Sequence, residues 1–364
     1  MQKIKNIQIS APGRVCLFGD HQDYLGLPII ACAIDRAIQL KAIPTKANTL
    51  HIKLPDIGEE RKIELQRPLM SVSERDYFYS ALVVLKRMGC IPDRGYNIEI
   101  SGNIPINAGL SSSSAVVVAW VAFLVAAFGA NQNITPELIA DSTFKAEVVE
   151  YDEPGGLMDQ YTISIGNTIF LNTRDGSYQT IRKPLGTLII GESGVPKQTL
   201  GVLKNLRGDA LEAIASVQDK VSDFKIEEAA LKDYHLYKKY VPKHLLSVFY
   251  AAIKNYSITK TAFIELSKDT LDTVKIGQLM TAHHLVLKES LKITVPIIDA
   301  MIDAAMQHGA LGAKIVGSGG GGSIVALTNP NNETKVIEGI LGAGAKAAYK
   351  VSITNGVQII KTVV

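Results

Sequence analysis

The sequence predicts a mixed chain of β-strands and α-helices, long enough for about two domains. Three observations carry this expectation. The chain has 364 residues, against roughly 100–200 for a single domain. Short runs rich in Val and Ile alternate with helical stretches in the first half. The second half reads as mostly helical until two apolar strands flank a glycine run. A hydrophobic content of 47% supplies a substantial core.

The elements follow in order. "NIQISAPGRVCLF" and "IIACAIDRAIQLKAIPT" read as strands, and "YNIEISGNIPI" alternates as a strand does. "DYFYSALVVLKRMG" has helical spacing and a closing glycine. "TPELIADSTFKAEVVEY" opens a helix with Thr135 as N-cap and Pro136 at the first helical position. Residues 202–270 read as helical. "IGQLMTAHHLVLKESL" and "TVPIIDAMIDAAMQHG" give two more helices. A boundary near 185 divides the chain into 1–185 and 186–364.

Composition excludes several classes. Net charge is +3, and Lys and Arg are scattered, so no nucleic-acid partner is expected. "MQKIKNIQIS" has no apolar segment of the signal-peptide kind. "AVVVAWVAFLVAAFGA" falls short of the ~20 residues that span a bilayer, which makes it a buried helix rather than a membrane anchor. Cys16, Cys32 and Cys90 are odd in number and lack metal-site spacing. They read as core residues of a cytoplasmic protein.

Four stretches carry chemistry. "GDHQDYLGLP" (19–28) crowds hydrogen-bonding groups between two apolar runs. "PINAGLSSSSAVVVAW" (105–120) ends a strand at Pro105 and opens an apolar helix with glycine and serines. The unpaired N–H groups of such a first turn suit a phosphate, although helix capping would use the same residues. "GSGGGG" (317–322) matches G-x-G-x-x-G, but "SIVALT" follows as a strand. The strand–glycine–helix context of a dinucleotide site is missing, which discounts a nicotinamide oxidoreductase. In "AEVVEYDEPGGLMDQY" (146–161), Glu147 closes a helix and Asp159 follows twelve residues later.

Together these stretches resemble the GHMP small-molecule kinases, and the galactokinase branch most closely. The signature G-R-x-N-L-I-G-E-H-T-D-Y-x-G is similar to "GRVCLFGDHQDYLG". The phosphate loop P-x-x-x-G-L-S-S-S is similar to "PINAGLSSS". A-E-H-x-F-x-G-x-P-C-G-I-M-D-Q aligns without a gap on "AEVVEYDEPGGLMDQ", and the third, glycine-rich motif on "GAKIVGSGGGGSIVAL". Asp20 stands where galactokinases carry Glu, Cys16 at their Asn, Val148 at their His and Asp152 at a usual Gly. "GVPKQTLGVLKNLRG" is more similar to mevalonate kinases.

The resemblance implies a two-domain α+β fold, with an N-terminal half like ribosomal protein S5 domain 2 and a ferredoxin-like C-terminal half. It implies an ATP- and Mg²⁺-dependent sugar kinase that phosphorylates a galactose-like monosaccharide, at the anomeric hydroxyl. Asp159 would be the base or orienting group for the attacking hydroxyl, beside Arg14. Asp20, His21 and Asp23 would bind sugar hydroxyls, with backbone from Gly156. Gly109, Leu110, Ser111, Ser112, Ser113 and Ser114 would cradle the triphosphate, with Gly319 and Gly320 packed against phosphate or sugar. Mg²⁺ would take Ser113 and Glu147. The alternatives are a kinase for mevalonate or for another hexose or heptose, and a non-catalytic sugar- or nucleotide-binding regulator. A monomer or small homo-oligomer without membrane association is expected. His283 and His284 read as structural rather than metal-binding, Tyr77, Phe78 and Tyr79 as core rather than an adenine stack, and Lys197 as solvated rather than reaching a phosphate.

Overall fold

The computed structural model describes residues 4–65, 75–197 and 200–363. Two long strands open it, β1 (Ile4–Phe18) and β2 (Ile29–Pro44). They pair antiparallel, with Ile9 opposite Leu40 and Val15 opposite Cys32. A hairpin of β3 (Thr49–Leu54) and β4 (Glu59–Glu64) follows, then α1 (Tyr77–Lys86) and β5 (Tyr96–Gly102). β5 stops at Gly102, before the expected end at Pro105. Residues 103–110 form the loop into α2 (Ser112–Phe128).

Thirteen of the seventeen residues of α2 are buried. A helix apolar on all faces belongs inside a protein, and α2 lies against β1, β2 and α3 (Pro136–Glu147). No helix among the described residues is long and apolar enough to cross a membrane. Thr135 caps α3 by accepting from the Leu138 amide at 3.2 Å, and Pro136 begins the helix. α4 (Met158–Ile165) then leads into the hairpin of β6 (Thr168–Leu171) and β7 (Tyr178–Ile181).

A second sheet starts at β8 (Thr187–Glu192). The helical stretch contains α5 (Leu200–Gln218), the single turn α6 (Tyr234–Tyr237), α7 (Leu246–Ser267), α8 (Thr273–Glu289) and α9 (Pro296–Gln307). β9 (Ala310–Val316), β10 (Ser323–Thr328), α10 (Glu333–Gly342), β11 (Ala347–Val351) and β12 (Gln358–Val363) complete the chain.

The first sheet has the order β12-β1-β2-β5-β3-β4, with β6 attached to β2 and β7 to β6. The second is antiparallel, β11-β8-β10-β9. β12 therefore returns to pair with β1, so the chain's end joins the first sheet and does not stay with the second half. One apolar core joins both sheets, from Ile9 and Val118 to Ile189 and Ile324. Cys16, Cys32 and Cys90 are buried and unbridged. Arg14 of β1, the N-termini of α2 and α4, the 19–28 turn and the start of the 317–322 turn all converge on one region.

Candidate active site

Asp159 lies in the first turn of α4, where the helix dipole favours an anion. Arg14, on β1, donates from Nε to its Oδ1 at 2.7 Å, and Ser111 Oγ donates to Oδ2 at 2.5 Å. A second guanidinium nitrogen of Arg14 donates to the Gly109 carbonyl. The side chain of Arg14 is 4% exposed and that of Asp159 26%, so the carboxylate is the part open to the cavity. Burial works to raise the Asp159 pKa, but Arg14 and the Ser111 hydroxyl outweigh it and hold the group below its ordinary value.

This carboxylate looks into a cavity of about 380 Å³ lined by Asp20, His21, Asp23, Glu147, Gly156 and Ser318. Asp23 behaves differently from Asp159. Burial, reinforced by the charge of Asp159, pushes its pKa up to about 7. A Cβ on Gly156 would fall 2.5 Å from Asp23 Oδ2, so glycine there is what admits the carboxylate. His21 sits at φ 63°, and its Nδ1 lies 3.2 Å from Tyr24 Oη. Burial, only partly opposed by Asp20, lowers its pKa to about 4, so the ring is neutral at pH 7. Gln22 braces the turn, donating to the Pro28 carbonyl at 3.1 Å and accepting from Thr259 of α7 at 3.3 Å.

A second, mainly apolar cavity of about 230 Å³ adjoins the first. Ile38, Leu54, Ile57, Ile100, Ile106 and Val116 line it, and Asn107, Ser113 and Lys197 border both cavities. The N-terminus of α2 points at this junction. Gly109 and Ser111 have φ of 86° and 61°, and no side chain caps the helix. The first-turn N–H groups therefore remain available to an anion.

Residues 2–41 match the galactokinase galactose-binding signature, 76–167 the N-terminal domain of GHMP kinases and 263–346 the GHMP kinase C-terminal region. The three matches lie in order and together take in more than half of the chain. The chain belongs to the GHMP kinases. A galactokinase of Pyrococcus furiosus is 28% identical to this kinase over 93% of both chains. A mevalonate kinase of Thermococcus sibiricus is 26% identical over 92% of both. A galactokinase of Lactococcus lactis, solved in complex with galactose, superposes with a TM-score of 0.84 at 22% identity, covering 97% of this chain and 95% of the other.

The kinase brings Arg14, Asp159, Asp23, His21 and Gly156 together around one cavity, and other expected site residues have partners within the protein. Asp20 was expected to bind sugar. Its side chain is 1% exposed; Oδ1 accepts from the Gly317 amide at 3.0 Å and Oδ2 lies 2.7 Å from Lys314 Nζ. Burial works to raise its pKa, yet Lys314 holds it at about 2. The side chain of Ser111 donates to Asp159. Ser113 borders both cavities, but the hydroxyl bonded to Glu147 belongs to Ser114. Leu110 is wholly buried, and its carbonyl accepts from the Arg14 amide at 3.1 Å.

Gly319 and Gly320 lie against Ile293. The Gly320 amide donates to the Ile293 carbonyl at 2.7 Å, and a Cβ on Gly319 would lie 2.6 Å from Ile293 Cβ. Gly317 and Gly322 approach the start of the serine loop: a Cβ on them would meet the Gly109 carbonyl at 3.4 Å and the Ala108 carbonyl at 3.1 Å. Lys197, read as solvated, borders both cavities, and burial lowers its pKa. Phe78 is half-buried against the core, edge-on to Trp120 at 5.2 Å. Tyr77 instead lines the acceptor cavity and donates to Glu153 at 3.0 Å. His283 is fully buried, 4.0 Å from Asp20. Lys314 carried one signal in the sequence: it is a lone charge inside the apolar strand "ALGAKIV", and a lysine is seldom buried unless it is paired.

Proposed function

We propose that this GHMP kinase transfers the γ-phosphoryl group of ATP to a hydroxyl of a galactose-like monosaccharide, at its anomeric position. The observation that carries this reading is the Arg14–Asp159–Ser111 cluster, set between a polar cavity and the open N-terminus of α2. The polar cavity takes the sugar. The apolar cavity takes the adenine, and the N–H groups at the start of α2, with Lys197, hold the phosphates between them.

Phosphoryl transfer depends on in-line positioning and charge neutralisation, and a loose transition state needs little help from a base. Asp159, held below its ordinary pKa, is a weak base. It accepts a hydrogen bond from the attacking hydroxyl, aims the oxygen at the γ-phosphorus and takes the proton late, as the P–O bond forms. Arg14 offsets the charge that gathers there. Asp23 and His21 fix the acceptor through its other hydroxyls, because a carboxylate accepts from two and a neutral imidazole can donate or accept. ADP release across a panel of sugars, with mevalonate as the competing acceptor, tests the reading. Turnover with mevalonate alone, or with none of them, would overturn it.

Mg²⁺ fits one position. Glu147 ends α3 with 6% exposure and accepts from Gln160 Nε2 at 2.7 Å. Burial raises its pKa to about 8, and the charge of Asp159 adds to the rise. A cation beside so buried a carboxylate favours its charged form, and carboxylate and hydroxyl oxygens suit a hard ion. Glu147 would hold it with Ser113 or Ser114. Among the described residues no three acidic, His or Cys side chains gather into a metal site, so phosphate and water would supply the remaining ligands. The ion would neutralise phosphate charge. Metal binding requires the deprotonated carboxylate. The Mg²⁺ concentration for half-maximal rate should therefore fall as pH rises toward about 8. Glu147→Gln should raise it by at least the order of tenfold seen on losing even an outer-shell partner, and abolish its pH dependence. An unchanged Mg²⁺ titration in that variant makes Glu147 a structural helix end.

Asp23 offers a second test. Its raised pKa means that the free protein holds a proton there below about 7. That proton favours the folded state, so its contribution to stability is lost as pH rises from the unfolded pKa through about 7. The acceptor needs the carboxylate, so the sugar KM should fall over that upper range. Asp23→Ala should weaken sugar binding by about 1.5–3 kcal/mol, at least about tenfold in affinity, with the ATP KM moving far less. Equal losses for sugar and ATP would make the 19–28 turn structural.

A further inference from the structure

A buried polar cluster outside the transfer chemistry joins the two sheets. Lys314, on β9, is fully buried. Its ammonium donates to the Cys16 carbonyl at 2.9 Å and the Ile315 carbonyl at 2.7 Å, and lies 2.7 Å from Asp20 Oδ2. Two carbonyls accept its protons and the Asp20 carboxylate is its counter-charge. Asp20 completes the link through its 3.0 Å bond from the Gly317 amide. One carboxylate thus ties the acceptor turn to the glycine-rich turn of the second sheet. Beside it, Ser318 lines the cavity at 7% exposure with its Oγ without a partner, while His21, also 7% exposed, meets the Ser318 backbone. Buried polar atoms of that kind are rarely left unsatisfied.

The geometry points to Lys314 as a positioning residue: it draws Asp20 off the acceptor and fixes the 19–28 turn against the 317–322 turn, leaving Ser318 Oγ, beside the His21 ring, to bind the acceptor on that wall. The consequence is chemical. A carboxylate can only accept hydrogen bonds, whereas a neutral imidazole and a hydroxyl can also donate. This wall therefore suits a sugar oxygen that needs a donor as well as a hydroxyl. The inference rests on the sugar-kinase reading for its acceptor, but the ion pair itself can be tested without one.

The experiment compares Asp20→Asn, Lys314→Met and their combination. Each single change leaves a buried charge alone and should lower the melting temperature by roughly 5 °C or more. The combination removes both charges and should recover at least about half of that loss. Asp20→Asn and Lys314→Met should raise the sugar KM to a similar extent, about five- to tenfold. Their combination should be no worse than either, with kcat and the ATP KM moving about twofold or less. Ser318→Ala should raise the sugar KM about tenfold at an unchanged melting temperature. Should Lys314→Met fail to fold alone, its rescue by Asp20→Asn in the same chain reads the same coupling. Additive melting losses overturn the ion pair. A KM effect in Asp20→Asn far beyond that of Lys314→Met overturns the withdrawal of Asp20, and an unchanged KM in Ser318→Ala removes Ser318 from the wall. A wild-type protein that phosphorylates no sugar defeats the kinase reading, and the melting cycle still decides the ion pair.

Discussion

Asp159→Asn lowers kcat by about 10²-fold or more, the usual range for losing a general base, while the fold and ATP binding persist. The side chain keeps its shape. The Asn carbonyl can still accept from Arg14 Nε, now at 2.7 Å from Oδ1. Ser111 can turn its hydroxyl to accept from the new amide, since a serine oxygen both donates and accepts. What is lost is the negative charge facing the cavity and the site that takes the proton. The measurement is steady-state kcat and ATP KM beside a melting curve. Near-normal turnover in a folded Asp159→Asn protein would leave Asp159 a structural partner of Arg14.

Arg14→Met is expected to damage stability and turnover together. Its side chain is almost wholly buried. Removing it leaves Asp159 without its cation and the Gly109 carbonyl without its donor. Breaking a buried pair by removing one partner destabilises by about 3–5 kcal/mol. Turnover should fall by on the order of 10²-fold, the scale for losing one donor that stabilises transition-state charge. Arg14→Lys separates the two effects. A lysine restores the charge but not the planar fork that bonds Asp159 and Gly109 at once. It should recover part of the stability and little of the rate. Full turnover in Arg14→Lys would mean that charge alone suffices.

Both variants act on a cluster that was only partly legible in the chain. Arg14 and Asp159 stand out through motifs that can be read locally. Their contact, 145 positions apart, needs β1 and the start of α4 to meet. Ser111 was readable as one of four serines before a helix. Its left-handed backbone and its bond to Asp159 were not, because a run of serines does not say which hydroxyl caps, which binds and which orients. Lys197 looked solvated because a lone lysine after "GESGVP" has no partner in its neighbourhood. The fold carries it to the junction of the two cavities.

The sequence by itself determined the features that depend on near neighbours. The apolar run from Ala115 to Phe128 had to be an interior helix, since burying it is the only way to remove so much apolar surface from water. Thr135 and Pro136 had to start a helix, because the cap bond and the fixed φ are local. The glycine run between two apolar strands had to be a turn. Only the tertiary structure decided the role of Asp20 and of the glycines in that turn. Cys16 and Lys314 are 298 positions apart, and nothing in the 19–28 stretch names the cation that occupies its first aspartate. A carboxylate's function follows from the charge and the dielectric within a few ångströms of it. Those neighbours are set by how two sheets pack, so Asp20 at about 2 and Asp23 at about 7, three positions apart in one turn, became different groups only when the chain folded.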